Sequence, residues 1–171
     1  MWSGIAAMLT MGLSSLCSAA ELGEFAGTWV FDKAQSANVD AAVDTCVSKL
    51  NFIARSIAGP RLRNTNIPYD RISIAALPGQ VKVVYGATGK PILTSIDGKA
   101  LAWTREDGEV FQTSHELKGE KLIEVFCGED GQKSTDFTVS VDHATLSLEV
   151  TVSSPRLPEP LVYKLAYRKK G

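Results

Sequence analysis

The chain is poor in everything that would advertise a reaction. Its 171 residues hold only two histidines, His115 and His143. Neither has a Cys, His, Asp or Glu nearby at a metal-ligand spacing. His115 falls in a strand-like run and His143 in a tight turn, and a surface position is expected for both. No nucleophile elbow, HExxH, P-loop or GxGxxG pattern occurs. The sequence therefore nominates no catalytic residue, no metal and no cofactor, and the reading is that the protein is not an enzyme. Charge of one sign is also missing: 18 Lys and Arg face 19 Asp and Glu, a net charge of −1. Nothing in that balance argues for nucleic acid or an anionic surface. Internal repeats, low-complexity tracts and interdomain linkers are absent, so residues 21–171 are read as one domain.

The first twenty residues, MWSGIAAMLTMGLSSLCSAA, lack any charged side chain. They end in Ser18-Ala19-Ala20, a small-x-small triplet of the kind cut by signal peptidase. The expectation is a leader removed after Ala20 and an exported protein, periplasmic or secreted, with no membrane span once the leader is gone. The n-region has no Lys or Arg, and the rival reading is an uncleaved N-terminal anchor. Leu16 before Cys17 argues against a lipoprotein. Cleavage leaves Cys46 and Cys127. In an oxidising compartment such a pair suggests one bridge, which would add about 4 to 5 kcal/mol in the chain-entropy model. The alternative is two unpaired thiols.

What is present is pattern. Residues 21–35 suit a strand marked by Phe25, Trp29 and Phe31, with Gly27 pointing to a bend or a close backbone approach. Over 38–58 the period changes to three and four, through Val39, Ala42, Val43, Cys46, Leu50, Ile53, Ala54 and Ile57. That predicts one amphipathic helix, capped by Ser36 or Asn38 and stopped at Gly59-Pro60. From residue 71 the period is two. Alternating runs such as RISIAAL, QVKVVY, STDFTVSV and TLSLEVTV are separated by glycine and proline turns every eight to twelve residues. Together these elements make one strand, one helix and about nine further strands, an antiparallel sandwich or barrel.

A meander of this length exposes two edges unless it closes, and a barrel closes by pairing its first strand with its last. The first strand carries Gly27-Thr28-Trp29 and the last carries Arg168. In this the chain resembles the calycin superfamily of lipocalins and fatty-acid-binding-protein-like barrels, and its order of elements is closer to the latter. The resemblance implies a mainly β, up-and-down barrel of about 8–10 strands with one helix between the first and second strands. It implies that Gly27, Trp29 and Arg168 form a structural plug at one end, with the guanidinium over the indole. It also implies a cavity, in which Tyr85, Phe111, Phe137 and Tyr163 would touch a ligand. Positive charge gathers over 49–71 and acidic charge over 97–149: either these segments complement each other in the fold or are solvated, or Arg55, Arg61 and Arg63 flank the mouth and attract an anionic head group. Fatty-acid-binding proteins hold a carboxylate with an interior Arg and Tyr near the last strand. Here Tyr163 and Tyr167 share a face while Arg168 points the other way.

Two functions follow as expectations. The first is a carrier or sequestering protein for a small apolar or amphipathic, lipid-like molecule. The second is a barrel with a filled core acting through its surface as a protein-binding module or inhibitor, with the SSPRLPEP segment at 153–160 as the contact. The size of the inward-facing residues discriminates between them, but a one-residue slip of register swaps the faces.

Overall fold

The structure is a computed structural model and describes residues 21–171. The expected leader, with Cys17 and the expected cleavage after Ala20, lies outside the described residues. Ten strands run in chain order: β1 (Gly27–Phe31), β2 (Arg71–Leu77), β3 (Gln80–Tyr85), β4 (Ile92–Ser95), β5 (Leu101–Thr104), β6 (Val110–Lys118), β7 (Lys121–Gly128), β8 (Gly131–Val139), β9 (Thr145–Ser153) and β10 (Leu161–Lys169). Two helices, α1 (Val39–Val47) and α2 (Phe52–Thr65), sit between β1 and β2. Among the described residues no helix is long and apolar enough to cross a membrane.

All ten strands belong to one antiparallel sheet, in the order β4-β3-β2-β1-β10-β9-β8-β7-β6-β5. The first strand pairs with the last, as closure requires, and the sheet wraps into a nearly closed barrel. The seam falls between β4 and β5, which share no ladder. Substitutes cross it nearby: Leu117 N–H donates to the Ile96 carbonyl, and Gly98 N–H to that of His115. The Trp103 indole N–H reaches the Pro91 carbonyl at 3.1 Å. Period-two patterning decides which side chains enter the barrel. On β9, Leu146, Leu148 and Val150 are buried while Ser147 and Glu149 face water.

One end is shut. Trp29, fully buried, donates its indole N–H to the Phe25 carbonyl at 2.9 Å, and the helical turn before it adds buried Leu22 and Phe25. Gly27, two residues before Trp29, sits at φ 136°, where a Cβ would stand 3.2 Å from the Lys169 side chain. The cation over Trp29 is not Arg168. Register pairs Trp29 with Lys169 and Val30 with Arg168, so Arg168 shares the outer face with Val30. There it meets Asp32 at 3.0 Å, while the Lys169 ammonium lies 5.1 Å from the indole centroid.

The helical segment departs from the single helix expected over 38–58. α1 ends at Val47, and Asn51 starts α2 by accepting from Ala54 N–H. The Arg55 guanidinium donates to the Ser48 and Leu50 carbonyls left open by the break. α2 then passes through Gly59-Pro60 instead of stopping there. A proline inside a helix costs about 3 kcal/mol. Anchors beyond it offset that cost: Leu62 packs on the core, and Tyr163 donates to the Asn66 side chain at 3.0 Å.

Cys46 and Cys127 are unpaired, against the expected bridge. Cys46 is buried on α1 with its thiol at the Glu159 carbonyl, whereas alternation on β7 turns Cys127 outward beside Gln132.

Because the indole fills the closed end and Lys169 only covers it, their substitutions should differ in cost. Trp29→Ala should destabilise by about 3–5 kcal/mol and Lys169→Ala by about 0.5–1 kcal/mol, read from urea unfolding midpoints.

Candidate functional site

The barrel is not filled. A cavity of about 1030 Å³ occupies its interior beneath the helices, at the upper end of the range of small-molecule pockets. Ala54, Ala58 and Leu62 of α2 roof it. The turns at 86–90 and 105–109 and the turn between β7 and β8 form its rim. Asp130 in that last turn takes Arg61 of α2 at 2.6 Å and Arg156 at 2.8 Å, which pins α2 along one side. Among the described residues no hydrogen bond or ion pair joins α2 to the other two turns, so the mouth opens on that side.

The walls differ. On β9 and β10, Val152, Val150, Leu148 and Leu165 present an apolar surface. On β5–β7, Trp103 and Phe111 each pack edge-on against Phe126, with centroids 5.8 and 6.0 Å apart. The inward row of β7 then turns polar. Glu124, almost fully buried, accepts from the Tyr85 hydroxyl at 2.5 Å and from His115 Nε2 at 2.8 Å. His115 Nδ1 meets the Thr94 hydroxyl at 2.7 Å. With Glu124 ionised and the His115 proton on Nε2, every member of this chain is used: Thr94 donates to His115, and His115 and Tyr85 donate to Glu124. The chain ties β3, β4, β6 and β7 together across the interior and the seam. Burial, reinforced by the Glu124 charge and its hydrogen bond, pushes the Tyr85 phenol well above the ordinary tyrosine value.

Lys133 stands one rung nearer the mouth, in register with Phe126 and Val152. Burial pulls its ammonium below the ordinary lysine value, against the pull of Glu124. The turn beside it needs glycine: at Gly131, φ 153°, a Cβ would fall 2.2 Å from the Ser153 carbonyl oxygen.

The structure divides the residues nominated from sequence. Tyr85, Phe111, Tyr163 and Arg61 line the cavity. Phe137 does not: it is fully buried opposite Leu122 and Leu148, below the cavity. Arg55 closes the α1–α2 turn, and Arg63 pairs with Asp40 and Asp44 of α1, so neither reaches the mouth. The last strand offers no guanidinium to the interior. Both its inward tyrosines hold the segment leaving α2, Tyr163 through Asn66 and Tyr167 through the Tyr69 carbonyl at 3.2 Å. His115, expected at the surface, is wholly buried. Glu124 and Lys133 were not nominated. Their signal was a charged residue in phase with apolar ones, in the rows Leu122-Glu124-Phe126 and Lys133-Thr135-Phe137.

Ten antiparallel strands, a helical pair after the first and an interior cavity beneath that pair decide the architecture. The fold is a calycin-like up-and-down barrel. The REP1-NXSQ fatty acid transporter superposes with a TM-score of 0.56 over 87% of this chain and 98% of its own, at 17% identity. Caenorhabditis elegans lipid binding protein 8 gives 0.56 over 96% and 100%, at 11% identity. A secretary abundant heat soluble protein from Ramazzottius varieornatus gives 0.61 over 86% and 96%, at 10% identity. No family model and no curated protein sequence matches the chain. The barrel thus shares its backbone course with those proteins and little of its sequence.

The barrel interior makes a prediction at alkaline pH. Tyr85, Tyr163 and Tyr167 all have phenols raised by burial. Unfolded tyrosine loses its proton near pH 10, about its ordinary value, while these three keep theirs. Their contribution is complete below pH ~10 and is lost as pH rises toward the folded values; Lys133, with its lowered value, opposes this more weakly. Phenolate absorbance near 295 nm should therefore appear together with the loss of far-UV circular dichroism. Ionisation of all four tyrosines in a still-folded barrel would contradict the assignment.

Proposed function

We propose that this protein binds a lipid-like molecule, apolar or amphipathic, non-covalently inside the barrel and carries or sequesters it without catalysis. The observation that carries the reading is the unfilled cavity, with its apolar β9–β10 wall and its one unpinned side at the mouth. A folded core normally packs to near-crystalline density, and the surface-acting alternative rested on a filled interior. Proteins with this fold, among them a Schistosoma mansoni fatty acid binding protein in complex with arachidonic acid, support the same reading. In this proposal residues 1–20 direct export, residues 21–171 are the working domain, and Tyr85, Phe111, Tyr163 and Arg61 contact the ligand. The SSPRLPEP segment serves the mouth: Glu159 accepts Lys49 after α1, and Arg156 reaches Asp130.

The test is displacement of Nile red, a neutral solvatochromic dye, by fatty acids, fatty alcohols, lysophospholipids and sterols. The expected result is saturable one-to-one displacement at micromolar concentration by at least one class of single-chain lipid. Dye binding that no lipid displaces would refute the proposal.

A further inference from the structure

The cavity holds one cation without a partner. Every other cationic side chain that lines it is engaged. Arg61 and Arg156 share Asp130, Arg105 is clamped by Asp107 and Glu109, and Lys90 donates to the Thr104 carbonyl. Of these lining cations only the Lys133 ammonium has no hydrogen bond or ion pair to any described residue. Its charged neighbour, Glu124, is already taken by Tyr85 and His115. An ammonium left unpaired in a low-dielectric interior is costly, and an anion arriving there would relieve that cost.

Its position sets a direction. Lys133 lies two residues from the β7–β8 turn, on the mouth side of Glu124. The apolar wall begins beside it: Lys133 is in register with Val152, Thr135 with Val150 and Phe137 with Leu148. A chain that starts at Lys133 can therefore descend along Val150 and Leu148 toward the end closed by Trp29. Charge decides the head group. One unpaired cation matches one negative charge, and the Glu124 carboxylate one rung below would repel a second. A phosphate monoester, at about −1.5 to −2 near neutral pH, fits worse than a carboxylate.

We propose that Lys133 is the head-group site of this cavity and that the ligand is a single-chain carboxylic acid held head-up, its carboxylate on Lys133 beneath α2 and its alkyl chain along the β9–β10 wall. This rests on the cavity-binding reading above. It differs from what the family resemblance implies, an interior arginine and tyrosine near the last strand, because β10 turns Arg168 outward and has both tyrosine hydroxyls occupied.

The test compares dodecanoate, dodecan-1-ol and dodecyl phosphate as competitors of Nile red on the full chain and on Lys133→Met, which keeps length and removes charge. Dodecanoate should bind most tightly to the unaltered protein. Lys133→Met should weaken it about ten-fold or more while leaving dodecan-1-ol and Nile red within about two-fold, and Lys133→Arg should restore the preference. Should Lys133→Met fail to hold Nile red, Lys133→Gln is read in its place. Undiminished dodecanoate binding, equal losses for acid and alcohol, or a preference for dodecyl phosphate would overturn the head-group assignment and leave the cavity reading intact. Failure of acid and alcohol alike to compete on the unaltered protein, with other lipids competing, would also overturn this assignment alone. Failure of every lipid would overturn both. Spin-labelled stearates read the direction: a label at carbon 5 should broaden the amide signals of Phe126 and Lys133, and one at carbon 16 those of Leu122 and Phe137. The reverse pattern would overturn the head-up arrangement.

Discussion

A carboxylate buried in the middle of a β-barrel has to be satisfied from within, and Glu124 organises the interior around that requirement. It needs donors, which Tyr85 and His115 supply. His115 in turn needs Thr94 across the seam where β4 and β5 do not pair. Removing one partner of such a chain leaves a buried polar group unpaired, at a cost of about 1–3 kcal/mol. The chain therefore does two jobs with one set of contacts. It substitutes for a missing ladder, and it holds polar bulk against one wall, leaving the opposite wall of Val150, Leu148 and Leu165 apolar and uncovered.

The two ends of the barrel divide the remaining tasks. The closed end is built from shape: Trp29 belongs to one buried cluster with Leu22, Phe25, Leu122 and Phe137, and its indole N–H is held by the Phe25 carbonyl of the turn before β1. The mouth is built from charge. Exposed pairs such as Arg61–Asp130 are each worth little, about 0–1 kcal/mol, and they hold α2 along one side only. The far end of α2 is held differently, by Leu62 on the core and by the Tyr163 hydroxyl on the Asn66 side chain.

Much of the fold was legible because period-two patterning and glycine turns are local signals. Strand number follows from them, and the pairing of first with last follows once so long a meander must close its edges. The misses share a cause, which is that phase is not local. Arg168 and Lys169 are adjacent, and only the register against Trp29 decides which one shares its face. The same single-residue ambiguity hid His115, which β6 turns inward. The helix pair was read as one because apolar spacing continues across the break. Asn51 capping α2 was the available cue, and the rotation of α2 leaves Ile53 and Ile57 exposed. Arg55 and Arg63 were nominated from local charge, yet their partners, α1 and its C-terminal carbonyls, lie close in sequence. Cys46 and Cys127 were joined by an argument about compartment that says nothing of which side of a wall each thiol occupies.

The central claim is that the interior is open space for a guest and not a packed core. Native mass spectrometry of the purified protein, before and after incubation with dodecanoate and against the denatured mass, tests it most directly. The account predicts a one-to-one adduct of ligand mass in the native spectrum that disappears on denaturation. The same bare protein mass in every condition, with a panel of lipids as well as dodecanoate, would contradict it.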